Sequence, residues 1–213
     1  MNKLFNFIVK IRFESSKFEF SKEQFGDIKD HRCWLKDSLI LNACELLSLV
    51  EMTKSNKAIL LYRATRDGFG AKDYHSRCDG KTNTITIIKN DLNYVFGGYA
   101  SAAWDTSNGS KYTNDPKAFL FSLRRDGKSY NDKFEIKNPL CALYGNADCG
   151  LSFGGGHDIL VCDQSNITTG SYTYFGHSYC VPVGYSYGGN AQSFLAGNYN
   201  QWTTTEIEVY QIS

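Results

Sequence analysis

The sequence predicts an α+β fold that is mainly β: two antiparallel sheets packed as a sandwich, with a few helices at the flank. Three observations carry this. Helical periodicity is confined to the stretch before Gly80, and short apolar or alternating runs separated by Gly, Asn and Asp follow it. That segregated order excludes the alternating βαβ units of a parallel sheet. The composition agrees: 15% aromatic residues, 19 glycines and only 3 prolines favour strands joined by tight turns.

The elements follow in order. Phe5, Phe7, Val9, Ile11 and Phe13 alternate with mostly polar residues and predict a strand in an N-terminal extension, residues 1–37. Residues 38–51 predict a helix, because Ile40, Ala43, Cys44, Leu47 and Val50 recur at i, i+3, i+4 and i+7. Asp37 or Ser38 is the expected cap, and flanking leucines predict burial on most sides. Residues 59–63 predict a buried strand, and residues 71–78 a two-turn helix ended by Asp79-Gly80. Short strands are expected at 85–89, 94–99, 118–123, 134–136, 141–144, 158–162 and 207–212, with surface loops across 163–205.

Charge and cysteine usage narrow the function classes. Twenty-three basic and 22 acidic side chains leave a net charge of +1, which argues against a nucleic-acid binder working by bulk charge. No apolar run approaches the ~20 residues needed to span a bilayer, and the start has no signal-peptide pattern. A cytoplasmic protein without membrane insertion is the expectation. Seven cysteines without a CxxC pair read as free thiols in a reducing compartment, with one redox-active thiol or bridge as the alternative. No metal or cofactor is expected. Asn108 and Asn166 begin sequons of the kind that arise by chance in a chain rich in Asn, Ser and Thr.

Five segments together resemble one family. They are LLYRATRDGF at 60–69, YHSRCD at 74–79 followed by TITII at 84–88, VFGGYAS at 95–101 with Trp104 after it, FGGGHDI at 153–159, and FLAGNY at 194–199 followed by EIEVY at 206–210. Their order and spacing resemble the TLDc domain over residues 38–213. The resemblance implies a two-sheet sandwich and a protein-binding, regulatory role without an established catalytic mechanism. It implies links to oxidative-stress resistance and to the soluble sector of the vacuolar-type proton pump as partner. A structural subunit of a larger assembly, using residues 1–20 as an added strand, is the alternative. A thiol-dependent or hydrolytic enzyme is the third reading.

The candidate binding residues are Gly154, Gly155, Gly156, His157, Asp158, Glu206 and Glu208. Three glycines permit positive φ and close backbone approach, and such a loop can form an anion nest. A phosphate loop also needs Lys-Ser/Thr and a helix; His157-Asp158 and a strand follow here, so nucleotide binding is rejected. The preferred reading is a bulged turn feeding a core strand. Gly155 is the expected positive-φ position. A Cys149-His157-Asp158 nucleophile set is disfavoured, because adjacent strand residues point to opposite faces. Glu206 and Glu208 share one face, about 6.5–7 Å apart along the strand. The preferred reading makes that face solvent-exposed, with Ile207 and Val209 inward, and predicts that alanine at either glutamate leaves stability nearly unchanged. Such an acidic edge would be a contact surface. Arg63 is expected to pair with Asp67 or Asp79. His75 and Cys78 are too few ligands for a metal site and are read as packing residues. The tyrosines at 172, 174, 179, 185, 187 and 199, with Trp202, suit either recognition or packing under loops.

Overall fold

A computed structural model of the protein describes residues 38–55, 57–107 and 109–213. The expected strand at Phe5 to Phe13, the rest of the 1–37 extension and the sequon at Asn108 lie outside the described residues.

Helix α1 (Ala43–Thr53) is followed by β1 (Ala58–Arg63), the single turn α2 (Ala64–Asp67) and α3 (Ala71–Cys78). Then come β2 (Thr84–Asn90), β3 (Val95–Ala100), β4 (Lys111–Thr113), β5 (Phe119–Arg125), β6 (Lys128–Glu135), β7 (Leu143–Gly145), β8 (Cys149–Phe153), β9 (Ile159–Cys162) and β10 (Thr204–Ile212). Two antiparallel sheets result. The larger has the order β1-β10-β2-β3-β5-β6, and the smaller β4-β7-β8-β9. This is the expected mainly-β sandwich.

Two cores divide the apolar residues. Between the sheets lie Ile88, Phe96, Leu120, Ile207 and Val209 from the large sheet, against Leu143, Leu151, Phe153, Ile159 and Val161 from the small one. On the other face of the large sheet, Ile85, Ile87, Phe119, Phe121, Tyr210 and Ile212 meet Ile40, Leu41, Leu46 and Leu49. Alternate residues of β2, β5 and β10 therefore serve different cores, as the period of two requires.

The segment from Ser38 to Thr53 covers that second face. Its helix starts at Ala43, later than the periodicity implies. Asn42 is the cap, and the Asn42 and Glu45 side chains each accept the other's backbone N–H at 3.0 Å, a capping box. Ser38 accepts the amides of Ile40 and Leu41 in a turn instead. Only one face of α1 is buried, through Glu45, Leu46 and Leu49. Strand β1 is an edge strand with Ile59 exposed, so its expected full burial is corrected. Helix α3 occupies the expected residues. The sequence reading missed β4, β8 and most of β6; the polar residues of β4 and β6 suit edge strands and carry little apolar alternation, and β8 is a short run interrupted by Gly150.

Candidate functional site

The glycine segment forms a turn between β8 and β9. Gly154 holds φ +87° and His157 φ +56°. The positive φ sits at Gly154, which corrects the expectation for Gly155. A Cβ on Gly154 would also lie 1.9 Å from Asp158 Oδ2. Gly155 and Gly156 are needed for a different reason: the His177 side chain packs over both, 2.7 Å from where a Cβ on Gly156 would be. Gly154→Ala is expected to cost at least about 1–3 kcal/mol from backbone strain, plus displacement of Asp158. A urea melt within error of wild type would show that this turn tolerates a side chain.

His157 and Asp158 lie in this turn, not along a strand, and they do different jobs. Asp158 is fully buried and accepts the backbone N–H groups of Gly176 (2.7 Å), His177 (3.0 Å), Ser178 (2.9 Å) and Tyr179 (3.4 Å). Burial pushes its carboxyl up, against the pull of those amides. Both oxygens are thus committed to backbone, and Asp158 does not orient His157. His157 Nδ1 contacts the Tyr172 hydroxyl, and burial lowers its basicity. The nucleophile set is not assembled. Burial raises the Cys149 thiol, and the Cys149 carbonyl is engaged by His75 at 2.8 Å.

Glu206 and Glu208 are both covered, Glu208 by residues 38 and 39 and Glu206 by Thr65 of α2. Glu208 is fully buried and Glu206 is 5% exposed, so the solvent-facing reading is corrected. Glu208 accepts from Ser38 Oγ (2.7 Å), the Leu39 amide (2.8 Å), Arg63 Nε (3.0 Å) and the Tyr210 hydroxyl (3.2 Å). Arg63 Nη2 adds an ionic contact at 2.9 Å. Glu206 accepts the Thr65 amide at 3.1 Å and its hydroxyl. Arg63 therefore pairs across the sheet with Glu208, not with Asp67 or Asp79. Asp67 is held by Arg66 and Arg77, and the Arg66 guanidinium keeps its carboxyl below the ordinary range. Glu45 is a further buried acid, which sequence reasoning missed. It pairs with Arg124 through bonds of 2.7 and 2.6 Å, and its signal was a charge on the apolar face of α1.

His75 is a packing residue, hydrogen-bonded to Asp79 (2.8 Å) and to the carbonyls of Asn146 and Cys149. Among the described residues no cluster of three metal-ligating side chains occurs.

The tyrosine-rich region divides. Tyr179 and Trp202 belong to the core. Tyr185 packs on Phe194 at 4.7 Å between centroids, apart from the rest. Tyr172, Tyr174, Tyr187 and Tyr199 join a run of rings that sequence reading did not connect. Tyr112 packs on Tyr144 (4.9 Å between centroids), Tyr144 on His157 (5.2 Å) and His157 on Tyr172 (5.7 Å). Tyr172 packs on Tyr199 (6.0 Å), Tyr199 on Tyr174 (5.8 Å), Tyr174 on Tyr187 (4.7 Å) and Tyr187 on His177 (5.5 Å). The strip crosses the glycine turn, and the Tyr112 hydroxyl donates to the Gly155 carbonyl at 3.1 Å. It is open at Tyr112, 47% exposed, and at Tyr187, 45% exposed. Strand β9 holds its middle, because Tyr172 exchanges two backbone hydrogen bonds with Leu160. Half-exposed rings on a rigid support form a surface that binds at low entropic cost.

Among the described residues no helix is long and apolar enough to cross a membrane. The model of the TLDc domain family matches residues 34–213. MTOR-associated protein MEAK7 of Danio rerio is 26% identical over 139 residues, which cover 63% of this chain. The match spans 29% of that relative's length. With the segments quoted above falling on the turn, the sheets and the buried ion pair just described, the chain belongs to the TLDc domain family.

Proposed function

We propose that this domain is a non-catalytic binding module, which regulates a protein partner by docking through the aromatic strip around the Gly154–Asp158 turn. The observation that carries this reading is the unbroken run of rings from Tyr112 to His177, anchored by the Asp158 amide cluster. Tyrosine surfaces with small polar neighbours are typical binding hot spots. Family membership supports a protein partner, as does a relative named for its association with MTOR. By family resemblance the partner is the soluble sector of the vacuolar-type proton pump, the setting is the cytoplasm, and the output is protection during oxidative stress. Regulation then requires that the domain bind assembled and free states of the pump with different affinity.

The test is direct binding of the full chain to purified soluble sector, comparing wild type with Tyr112→Ser/Tyr187→Ser. Both rings are half-exposed, so the melting temperature should hold while affinity falls about tenfold or more. Failure of wild type to bind would reject the pump as partner. Equal binding by the variant would reject the strip as the docking surface.

A further inference from the structure

Cys149 and Cys162 stand directly opposite each other on neighbouring antiparallel strands, β8 and β9. Opposed Cβ atoms in such a pair lie about 4.5–5.5 Å apart, and a disulfide needs about 3.5–4.5 Å. Closure by about 1 Å therefore suffices. The register shifts between Cys149 and Ser152, immediately beside the pair, where an irregularity of this kind bends and twists the strand. Both thiols are free and only half-buried, within reach of a small oxidant. Cys78, by contrast, is fully buried.

The two sulfurs differ in setting. Burial, then Asp148, Cys162 and Asp163, raise the Cys149 thiol. Cys162 Sγ lies 3.0 Å from Thr168 Oγ1 and accepts the Ser171 hydroxyl at 3.3 Å. Ser171 immediately precedes Tyr172, a central ring of the aromatic strip.

We propose that Cys149 and Cys162 are a reversible redox site, which closes to a disulfide when the domain meets a hydroperoxide. Cys162 attacks first. Its thiolate sulfur displaces hydroxide from the peroxide: an S–O bond forms, the O–O bond breaks, and sulfur loses two electrons to oxygen. The Cys149 thiolate then attacks the sulfenic sulfur, the S–S bond forms, and the S–O bond breaks with loss of hydroxide. Protons released by the two thiols convert both hydroxides to water, so two thiols and one hydrogen peroxide yield one disulfide and two waters. Closure draws Cys162 Sγ away from Thr168 and Ser171 and loosens the loop that leads into Tyr172. The inference does not depend on which partner the strip binds.

The purified, fully reduced full chain is treated with hydrogen peroxide under native conditions. Remaining thiols are alkylated, and the digest is mapped by mass spectrometry without reduction. The expected result is a crosslink between the Cys149 and Cys162 peptides, in large excess over every other pairing and reversed by dithiothreitol. Cys149→Ser should abolish it and leave Cys162 as a sulfenic acid that dimedone traps. Oxidation of the wild-type thiols without this crosslink, or with another pairing dominant, would overturn the proposal. The wild-type map alone decides the matter if the variant does not fold.

Discussion

Glu208→Ala is expected to destabilise the domain by about 3–5 kcal/mol, because it strands a partly buried guanidinium. Arg63 is 15% exposed and Glu208 not at all, so water replaces the lost carboxylate poorly. Two further donors, Ser38 Oγ and the Leu39 amide, lose their acceptor at the same time. Those donors fix the start of the segment that roofs the outer face of the large sheet. The loss therefore reaches beyond one ion pair and exposes apolar residues such as Ile40 and Leu41. For a domain of this size the shift in melting temperature is about 6–20 °C. A double variant, Arg63→Met/Glu208→Leu, should recover part of the loss, since replacing both charges leaves no buried ion. Equal stability of wild type and Glu208→Ala in urea melts would show that the pair contributes nothing net.

Asp158→Ala carries the other large effect. Four backbone N–H groups lose their acceptor, and each buried unsatisfied donor costs about 1–3 kcal/mol. Partial entry of water lowers the sum, which leaves an expected loss of at least about 4 kcal/mol, comparable with the whole stability of a marginal domain. Asp158→Asn should fall between the two. Its remaining oxygen can accept the three amides that bond Oδ1, while its NH2 group faces the Ser178 amide. The order wild type, Asn, Ala in denaturant midpoints checks this, and an alanine variant within about 1 kcal/mol of wild type would refute the anchoring role. Residues 176–179 also hold His177 over the glycine turn. The same variants should accordingly weaken binding through the strip, in proportion to their loss of structure.

The two predictions concern residues that the sequence singled out for other reasons. Asp158 and the glycines were legible as a turn before a core strand, because glycine runs followed by apolar β-branched residues have few other solutions. That Asp158 closes the loop at 176–179 was not legible, since its partners lie 18 to 21 positions away. Spacing showed that Glu206 and Glu208 share a face, with Ile207 and Val209 on the other. It did not show that both faces are covered. A period of two separates the sides of a sheet but is silent on what packs against each.

By itself the sequence determined the class of fold, the positions of most strands, helix α3 and the family, because these rest on local periodicity, turn chemistry and the order of short segments. Only the tertiary structure decided which carboxylates are buried, which arginine each one meets, and that scattered tyrosines from 112 to 199 join one strip. Those outcomes depend on contacts between distant parts of the chain; Ser38 and Glu208 are 170 residues apart. Local patterns cannot encode such contacts, because the identity of a neighbour across a sheet is set by how the layers stack and not by the spacing within either strand.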